Sequence, residues 1–195
     1  MYRGQNVAGE SVILKVLKEE AVTPVRIAEY RRECSINQRI LGSGVAEIFR
    51  LETNRHRQTL VIEDFGGASH DLLRVTSRLP EKMPLCVFLP MAISLARALA
   101  QVHRHNVVHK DINPANIVFN AETAEVKLID FGLSSVLSRE PARFVHPQQL
   151  EGTLPYLSPE QTGRMNRPVV YRSDFYALGV TFYELLTGQL PFQAN

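Results

Sequence analysis

The sequence predicts an α+β fold with a sheet-rich first part and a larger, mostly helical second part. Short runs of β-branched and apolar residues, bounded by turn residues, recur early in the chain, and such runs are typical of strands. Longer stretches with helical periodicity follow later. The pair Gly66-Gly67 breaks the chain between them. We place the boundary at residues 63–67, with residues 1–65 in the first part and residues 66–195 in the second.

The first part is expected to begin with a strand and a helix. Residues 11–17 (SVILKVL) are β-branched and apolar, which favours a strand. Thr23 and Pro24 then supply an N-cap and a proline for the first helical position. The stretch 25–41 is charged, with spaced apolar residues that predict a helix with one buried stripe. The stripe consists of Ile27, Tyr30, Cys34 and Ile40.

Two further strands and a helix are expected next. Residues 46–52 and 58–63 read as strands joined by a polar turn. Residues 91–104 form an amphipathic pattern, and Pro90 is tolerable because it falls in the first turn of the predicted helix. Residues 126–129 predict another strand.

The last third of the chain is predicted to hold a long loop and a buried helix. Residues 133–159 are irregular in pattern, and loops of that length in compact domains are usually functional. Ser173 is expected to cap a helix over residues 174–186 that ends at Gly188. This helix is apolar on nearly every side, which indicates burial.

An acid–amide–acid pattern is the strongest chemical signal in the chain. Asp111 is followed by Asn116, and Asp130 opens an Asp-Phe-Gly turn. Phosphoryl transfer depends on metal, positioning and charge neutralisation more than on covalent help from protein. Asn116 and Asp130 carry the hard oxygen ligands that Mg²⁺ prefers, and Asp111 could accept the proton of an attacking hydroxyl. The pattern predicts a site for Mg²⁺ and a nucleotide phosphate.

These motifs resemble those of protein kinase catalytic domains. His109-Lys110-Asp111 with Asn116 stands where that family usually has His-Arg-Asp and an asparagine, and Asp130-Phe131-Gly132 follows. Ser158-Pro159-Glu160 replaces the usual Ala-Pro-Glu, and Val12-Ile13-Leu14-Lys15 the usual Val-Ala-Ile-Lys. The resemblance covers nearly the whole chain. It implies a two-lobe fold, ATP and Mg²⁺ as cofactors, and transfer of the γ-phosphoryl group to serine or threonine of a protein substrate.

Within the protein kinases, the motif sequences resemble most closely those of the N-terminal kinase domain of large bacterial signalling proteins. In those proteins a serine/threonine kinase-like domain precedes an AAA-type ATPase module and a sensor histidine kinase. This resemblance implies further domains on a larger protein. A cytoplasmic location is expected from the two cysteines, Cys34 and Cys86, which form no Cys-x-x-Cys pair and are interpreted as reduced thiols. The resemblance also implies that the chain lacks the family's first strand and glycine-rich loop, and the last helices of the second lobe, so we expect the isolated chain to be poorly stable.

The resemblance implies how the nucleotide is bound. Lys15 would bind the α- and β-phosphates, with Glu33 as its ion-pair partner, and Glu29, one turn earlier, is the alternative partner. Glu63 and Phe65 would belong to the hinge that reads adenine through main-chain groups. The nucleotide-binding set is then Lys15, Glu33, Glu63, Phe65, Asn116 and Asp130.

The predicted catalytic set departs from the family at one position. Asn113 stands where serine/threonine kinases carry a lysine that contacts the transferring phosphate. An amide cannot neutralise charge, and losing a transition-state charge partner can cost about a hundredfold in rate. The catalytic set is Asp111, Asn113 and Lys15. Thr153 lies in the segment that the resemblance assigns to peptide binding, and it is expected to approach Asp111.

Composition excludes several other functions. The chain has 22 Lys and Arg against 20 Asp and Glu, a net charge of +2, which argues against a nucleic-acid partner. No segment approaches the roughly 20 apolar residues of a membrane span, and the best candidate, residues 85–100, is broken by Pro90 and Arg97, so membrane insertion is not expected. The histidines lack the spacing of a zinc site.

Two rival functions stay open. A pseudokinase-like regulatory or protein-binding module, with weak or no phosphotransfer, is favoured by Asn113 and by the expected truncation at both ends. A small-molecule phosphotransferase would also use an acid-to-amide loop, but the segment 151–160, which by resemblance receives peptide, argues against it.

Overall fold

The computed structural model describes most of the chain. The residues described are 1–18, 22–40, 42, 44–54, 57–69, 82–137, 152–163, 165 and 167–192. Within these ranges the first part is an antiparallel sheet with one helix, and the second part is mainly helical with short strands. The predicted α+β class is therefore confirmed.

The sheet of the first part has the strand order β1-β2-β4-β3. Its strands are β1 (Tyr2–Gln5), β2 (Ser11–Val16), β3 (Ile48–Asn54) and β4 (Arg57–Glu63). All neighbours are antiparallel. The strand β4 is paired on both edges and carries several buried apolar residues of the sheet, such as Leu60, and Val12 of β2 and Ile48 of β3 are buried as well.

One helix, α1 (Pro24–Asn37), packs against this sheet. Its start follows the prediction, because the Thr23 side chain accepts a hydrogen bond from the Arg26 main-chain N–H at 3.2 Å. Cys34 of the predicted stripe is buried among β3 and β4 residues, with Tyr30 packed against the same cluster. The carboxylate-bearing residue Glu33 is also buried, at 2% exposure.

The predicted end of α1 is wrong. The helix stops at Asn37, before residue 41 and before Gly42. The Asn37 amide donates to the Ala46 carbonyl at 2.8 Å and accepts from the Ile48 main-chain N–H at 2.7 Å. This side chain, 3% exposed, ties the helix end to the start of β3. Nothing in the local sequence pattern signals that long-range contact.

The second part is built on two helices and two small sheets. The helices are α2 (Leu85–Arg104) and α3 (Tyr171–Thr187). One sheet has the order β5-β7-β8, from β5 (Ala68–Ser69), β7 (Ile117–Asn120) and β8 (Glu125–Leu128), and the other pairs β6 (Val107–Val108) with β9 (Ser135–Val136). The strand β9 falls inside the predicted loop 133–159, of which residues 138–151 lie outside the described residues.

The starts of both long helices differ from the prediction. The helix α2 begins at Leu85, so Pro90 lies inside it and not in its first turn. Ser173 does not cap α3, which begins at Tyr171. It is fully buried, and its hydroxyl donates to Glu160 Oε1 at 2.6 Å. The end of α3 follows the prediction, because Gly188 adopts the left-handed conformation with φ +74°.

The burial of α3 is only partial. One face packs into the main core cluster through residues such as Leu178 and Leu185. Phe175 and Tyr183 on the same helix stay about half exposed. The burial expected from the apolar pattern is therefore confirmed for one face of the helix only.

The helix α2 is long and apolar enough to cross a membrane by length and composition alone, so the expectation that no segment reaches that length is wrong. Many core helices of soluble proteins pass this test. Met91, Leu95 and Leu99 of α2 pack in the main core cluster with Leu185 of α3. That packing accounts for the apolar residues on one face of the helix, whereas Leu85, Leu89 and Ile93 are more than half exposed. The absence of membrane insertion stays a prediction.

The two parts are joined by main-chain pairing and by a shared apolar cluster. Ala46 donates to the Leu128 carbonyl at 3.0 Å, and Leu128 donates to the Gly44 carbonyl at 2.8 Å. The cluster contains residues from both parts around Phe131. Its members are Ile36, Ile40, Val45, Val102, Val107, Phe131 and Val136. The loop that carries Asp130 is thereby anchored to the end of α1.

Candidate active site

The loop between β6 and β7 is held in place by hydrogen bonds to a buried carboxylate of α3. Asp174 of α3 is fully buried. Its Oδ2 accepts from the His109 main-chain N–H at 2.9 Å, and its Oδ1 accepts from that of Lys110 at 2.8 Å. Lys110 has φ +70°, an uncommon conformation for a residue with a side chain. The two buried hydrogen bonds hold the loop in this shape.

His109 is a packing residue beneath the site. Its ring is fully buried and stacks edge-on against Phe131, with ring centroids 4.7 Å apart. Nδ1 accepts from the Asp111 main-chain N–H at 3.3 Å, which assigns the ring proton to Nε2, 3.1 Å from the Ile129 carbonyl. Both nitrogens are thus used to join the two loops.

Asp111 has its carboxylate held by three donors. Oδ1 accepts from the main-chain N–H of Thr153 at 2.9 Å and from the Thr153 hydroxyl at 2.8 Å. Oδ2 accepts from Asn116 Nδ2 at 2.9 Å. The predicted approach of Thr153 to Asp111 is therefore observed. The geometry shows that this carboxylate receives an aliphatic hydroxyl, which is the contact a proton acceptor needs.

Asn113 is committed to the loop. It is 3% exposed, and its Nδ2 donates to the Asp111 carbonyl and to the Thr153 hydroxyl oxygen, both at 3.1 Å. Its Oδ1 accepts from the Ala115 main-chain N–H at 3.0 Å. These bonds position Thr153 against Asp111. The amide is therefore engaged with protein atoms in the place where the family's lysine would carry charge.

Asn116 and Asp130 have the chemistry of a magnesium pair. Asn116 Nδ2 donates to the Asp111 carbonyl and carboxylate, each at 2.9 Å, which directs its nitrogen to Asp111 and leaves its oxygen as the remaining ligand atom. Asp130 Oδ1 accepts from Lys15 Nζ at 2.9 Å and from the Gly132 main-chain N–H at 3.2 Å, which leaves Oδ2 as a ligand.

The donor set fits Mg²⁺ bound together with a nucleotide. In the described chain, no three His, Cys, Asp or Glu side chains gather as a metal site. An amide oxygen and a carboxylate oxygen are few ligands for an ion that needs six. Mg²⁺ is usually held by one or two protein groups, with phosphates and water completing its shell. Asn116 and Asp130 suit that arrangement.

Lys15 lies between two carboxylates. Its Nζ is 2.9 Å from both oxygens of Glu33 and 2.9 Å from Asp130 Oδ1. Glu33 is thus the partner in the structure, whereas Glu29 pairs with Arg26 at 3.0 Å. The pairing joins β2, α1 and the loop after β8.

Burial and neighbouring charges shift the pKa values of Lys15, Glu33 and Asp130 in opposite directions. Burial alone would lower the pKa of Lys15, but the charges of Glu33 and Asp130 outweigh it and raise the pKa. Burial would raise the pKa of Asp130, but the Lys15 ammonium lowers it below the ordinary value. Burial raises the pKa of Glu33 despite the same ammonium. Lys15 and Asp130 therefore stay charged near neutral pH.

A cleft of about 440 Å³ opens over these side chains. Its lining includes Lys15, Glu33, Asp111 and Asp130, so four predicted site residues share one cavity. Asn116 and Asn113 contact Asp111 beside it. Across the described residues, Glu63 and Phe65 are not part of this lining.

The structure places Glu63 and Phe65 in a separate cluster. Glu63 Oε1 lies 2.5 Å from Lys127 Nζ, and the Phe65 carbonyl accepts from Asn120 Nδ2 at 2.6 Å. Sequence reasoning missed Lys127 and Asn120. A lysine between the apolar residues of a predicted strand was the available signal for Lys127.

Gln161 was also missed. Its Nε2 donates to the Lys110 carbonyl at 2.8 Å, and its Oε1 accepts from both the main-chain N–H and the hydroxyl of Ser158. This buried side chain links the segment 158–162 to the loop that carries Asp111. Its position after Ser158 matches a capping box, which is the signal that could have identified it.

The chain is similar to known protein kinases along its length. The family model described as protein kinase domain matches residues 2–195. The serine/threonine-protein kinase pkn2 of Myxococcus xanthus is 32% identical over 198 residues, which cover 98% of this chain and 23% of pkn2. Pkn1 of the same organism is 29% identical over 98% of this chain and 27% of its own length. The serine/threonine-protein kinase TIO of Arabidopsis thaliana is 29% identical over all of this chain and 14% of TIO. The chain spans less than a third of each of these relatives.

Proposed function

Because the chain belongs to the protein kinase family, we propose that it transfers the γ-phosphoryl group of ATP to serine or threonine hydroxyls of a protein. The observation that carries this proposal is the hydrogen bond from the Thr153 hydroxyl to Asp111 Oδ1, 2.8 Å long. Asp111 lines the cleft that is also lined by Lys15 and Asp130. A proton acceptor, a phosphate-binding cation and a metal-binding acid thus converge on one cavity.

Each residue has one role in this reaction. Lys15, fixed by Glu33, binds the nucleotide phosphates. Asn116 and Asp130 would hold Mg²⁺, which when bound neutralises phosphate charge. Asp111 accepts the proton of the attacking hydroxyl. The hydroxyl of Thr153 marks where an acceptor hydroxyl meets Asp111, so a substrate side chain must replace or adjoin it there.

Asn113 acts as a positioning residue in this proposal. Its amide holds the Thr153 hydroxyl and the Asp111 main chain, each at 3.1 Å. It adds no positive charge at the transferring phosphate. Lys15 and the bound metal ion would therefore carry the charge neutralisation that the family's lysine shares elsewhere.

The test is transfer of labelled phosphate from ATP to three classes of acceptor. Wild type and Asp111→Asn are each incubated with a generic protein, a small alcohol and a small amine. Label on protein serine or threonine that disappears in Asp111→Asn supports the proposal. Nucleotide binding without transfer would instead support a pseudokinase-like module, and label only on small molecules would support a small-molecule phosphotransferase.

We further propose that this kinase domain belongs to a larger bacterial signalling protein, in the cytoplasm, that also carries an AAA-type ATPase and a sensor histidine kinase. The similarity of the motif sequences to those of such signalling proteins supports this proposal, and the greater length of pkn2 and Pkn1 is compatible with it. Its substrates would be proteins and not nucleic acids. An antibody against this chain that detects only a polypeptide of about its own size in cells would contradict the proposal.

A further inference from the structure

The segment 63–65, which begins at the last residue of the strand β4, is held by side chains and main-chain groups of several other elements. Glu63 Oε1 meets Lys127 Nζ of β8 at 2.5 Å. Glu63 Oε2 accepts from the Glu47 main-chain N–H at 3.1 Å, and the Glu63 main-chain N–H donates to the Glu47 carbonyl at 2.9 Å. Both ends of Glu63 are therefore bound to protein.

The next two residues are held in the same way. Asp64 receives Arg3 of β1 through two contacts, at 2.6 Å and 3.1 Å, and accepts from the Gly66 main-chain N–H at 3.0 Å. The Phe65 carbonyl accepts from Asn120 Nδ2 of β7 at 2.6 Å. One segment is thus attached to β1, β7 and β8, which belong to both parts of the fold.

Lys127 is the centre of this cluster. Its side chain is 9% exposed, and its Nζ lies 4.9 Å from the Phe65 ring centroid and 3.2 Å from Glu125 Oε1. A cation this buried is tolerated only when it is paired. Its partners are a carboxylate and an aromatic face of the segment 63–65 and one carboxylate of its own strand. Its contacts therefore determine where the segment lies relative to β8.

We propose that Lys127 is a positioning residue that sets the affinity and base selectivity of nucleotide binding, by fixing segment 63–65. This rests on the proposed function and on the interpretation, implied by the kinase resemblance, that the main chain of that segment reads adenine beside the described cleft. The side chains of Glu63 and Asp64 are engaged with protein, and so are the Glu63 main-chain N–H and the Phe65 carbonyl. Recognition would therefore fall to the other main-chain groups of the segment. Adenine presents an amino donor where guanine presents a carbonyl acceptor. A fixed main-chain pattern accepts one and rejects the other, whereas a loosened segment can adapt to both.

The test compares binding of nonhydrolysable ATP and GTP analogues by calorimetry. Lys127→Met is expected to bind the ATP analogue about tenfold more weakly, the size of an ordering cost paid on binding. Its affinity for the GTP analogue should change much less, so the selectivity ratio falls. Lys127→Arg, which keeps the charge, should restore most of the ratio. Glu125→Gln, which removes the contact of Lys127 within its own strand, is the matched control and should retain wild-type selectivity.

A second variant keeps the proposal testable if Lys127→Met fails to fold. Glu63→Gln removes the same contact from the other side and should reproduce the Lys127→Met effect, and the double variant should be no worse than either single one. An unchanged ratio in both single variants, or equal weakening for both analogues, would overturn the proposal.

Phosphoryl transfer measured in the same preparations separates the two proposals. Selective ATP binding by wild type without transfer would refute the kinase activity and leave the role of Lys127 supported if the ratio falls as described. Transfer with an unchanged ratio in Lys127→Met would refute the role of Lys127 alone. A wild-type chain that binds neither analogue would overturn both.

Discussion

Three side chains of the catalytic loop depend on each other at the scale of single residues. Asp111 is oriented by Thr153 and Asn116, and Asn113 orients Thr153. The sequence pattern was enough to select Asp111, Asn113 and Asn116 as candidates. It could not show that the Asn113 amide binds the Thr153 hydroxyl, because residues 113 and 153 meet only through the fold.

Removing the Asn113 amide should slow transfer without weakening nucleotide binding. Asn113→Ala loses the bonds to Thr153 and to the Asp111 carbonyl, worth about 1–3 kcal/mol together if their partners stay unpaired. We expect kcat to fall by about tenfold or more while the dissociation constant for ATP stays near wild type. A loss confined to ATP affinity would contradict the positioning role.

Lowering the pH should remove the stabilising contribution of the Lys15–Asp130 ion pair. The Lys15 ammonium lowers the pKa of this carboxyl below its ordinary value of 3.8, against the effect of burial. A depressed pKa stabilises the fold above the unfolded-state pKa, and that contribution is lost as the pH falls through the folded-state value. The free energy of unfolding of wild type, measured in urea, should therefore fall between pH 6 and pH 3 more than that of Asp130→Asn. Parallel curves would contradict this.

At the scale of elements, the sequence predicted which helices and strands form and in what order. It did not predict several of their boundaries. The helix α1 ends early because Asn37 binds the main chain of Ala46 and Ile48. Ser173, a residue typical of helix starts, is instead buried against Glu160. In each case a tertiary contact overrode a local preference, and local patterns carry no information about such contacts.

The helix α3 is expected to support the catalytic loop through Asp174. Asp174→Ala would leave the buried main-chain N–H groups of His109 and Lys110 without their acceptor. An unsatisfied buried donor costs about 1–3 kcal/mol. We expect a lower free energy of unfolding by at least that amount, measured by urea denaturation. Glu122→Ala, at an exposed acid in the turn between β7 and β8, is the control and should change stability little.

At the scale of the whole molecule, the two parts of the fold meet at Lys15, Glu33 and Asp130. Lys15 of β2, Glu33 of α1 and Asp130 after β8 meet at 2.9 Å, and the cluster around Phe131 joins α1 to the loop after β8. The sequence resemblance predicted this convergence. The attachment of segment 63–65 through Lys127 and Asn120 was not predicted, because side chains of a strand give no sign of which distant carboxylate or carbonyl they contact.

A ligand that binds only the folded chain must stabilise it. At a concentration a hundred times its dissociation constant, ATP with Mg²⁺ should add about 2.7 kcal/mol to the free energy of unfolding. Chelation of Mg²⁺ should remove most of this gain, because Asn116 and Asp130 then lack the ion that links them to the phosphates. Lys15→Met should show a much smaller gain. Equal stabilisation of Lys15→Met and wild type would place the nucleotide outside the described cleft.

The most direct measurement is the single-turnover rate of phosphoryl transfer at saturating ATP and Mg²⁺, for wild type beside Asp111→Asn. A positioned general base contributes about 10²- to 10⁴-fold, so the rate should fall by that factor while ATP affinity stays close to wild type. An equal rate in the two proteins would show that Asp111 is not the proton acceptor and would contradict the assignment of this cleft to phosphoryl transfer.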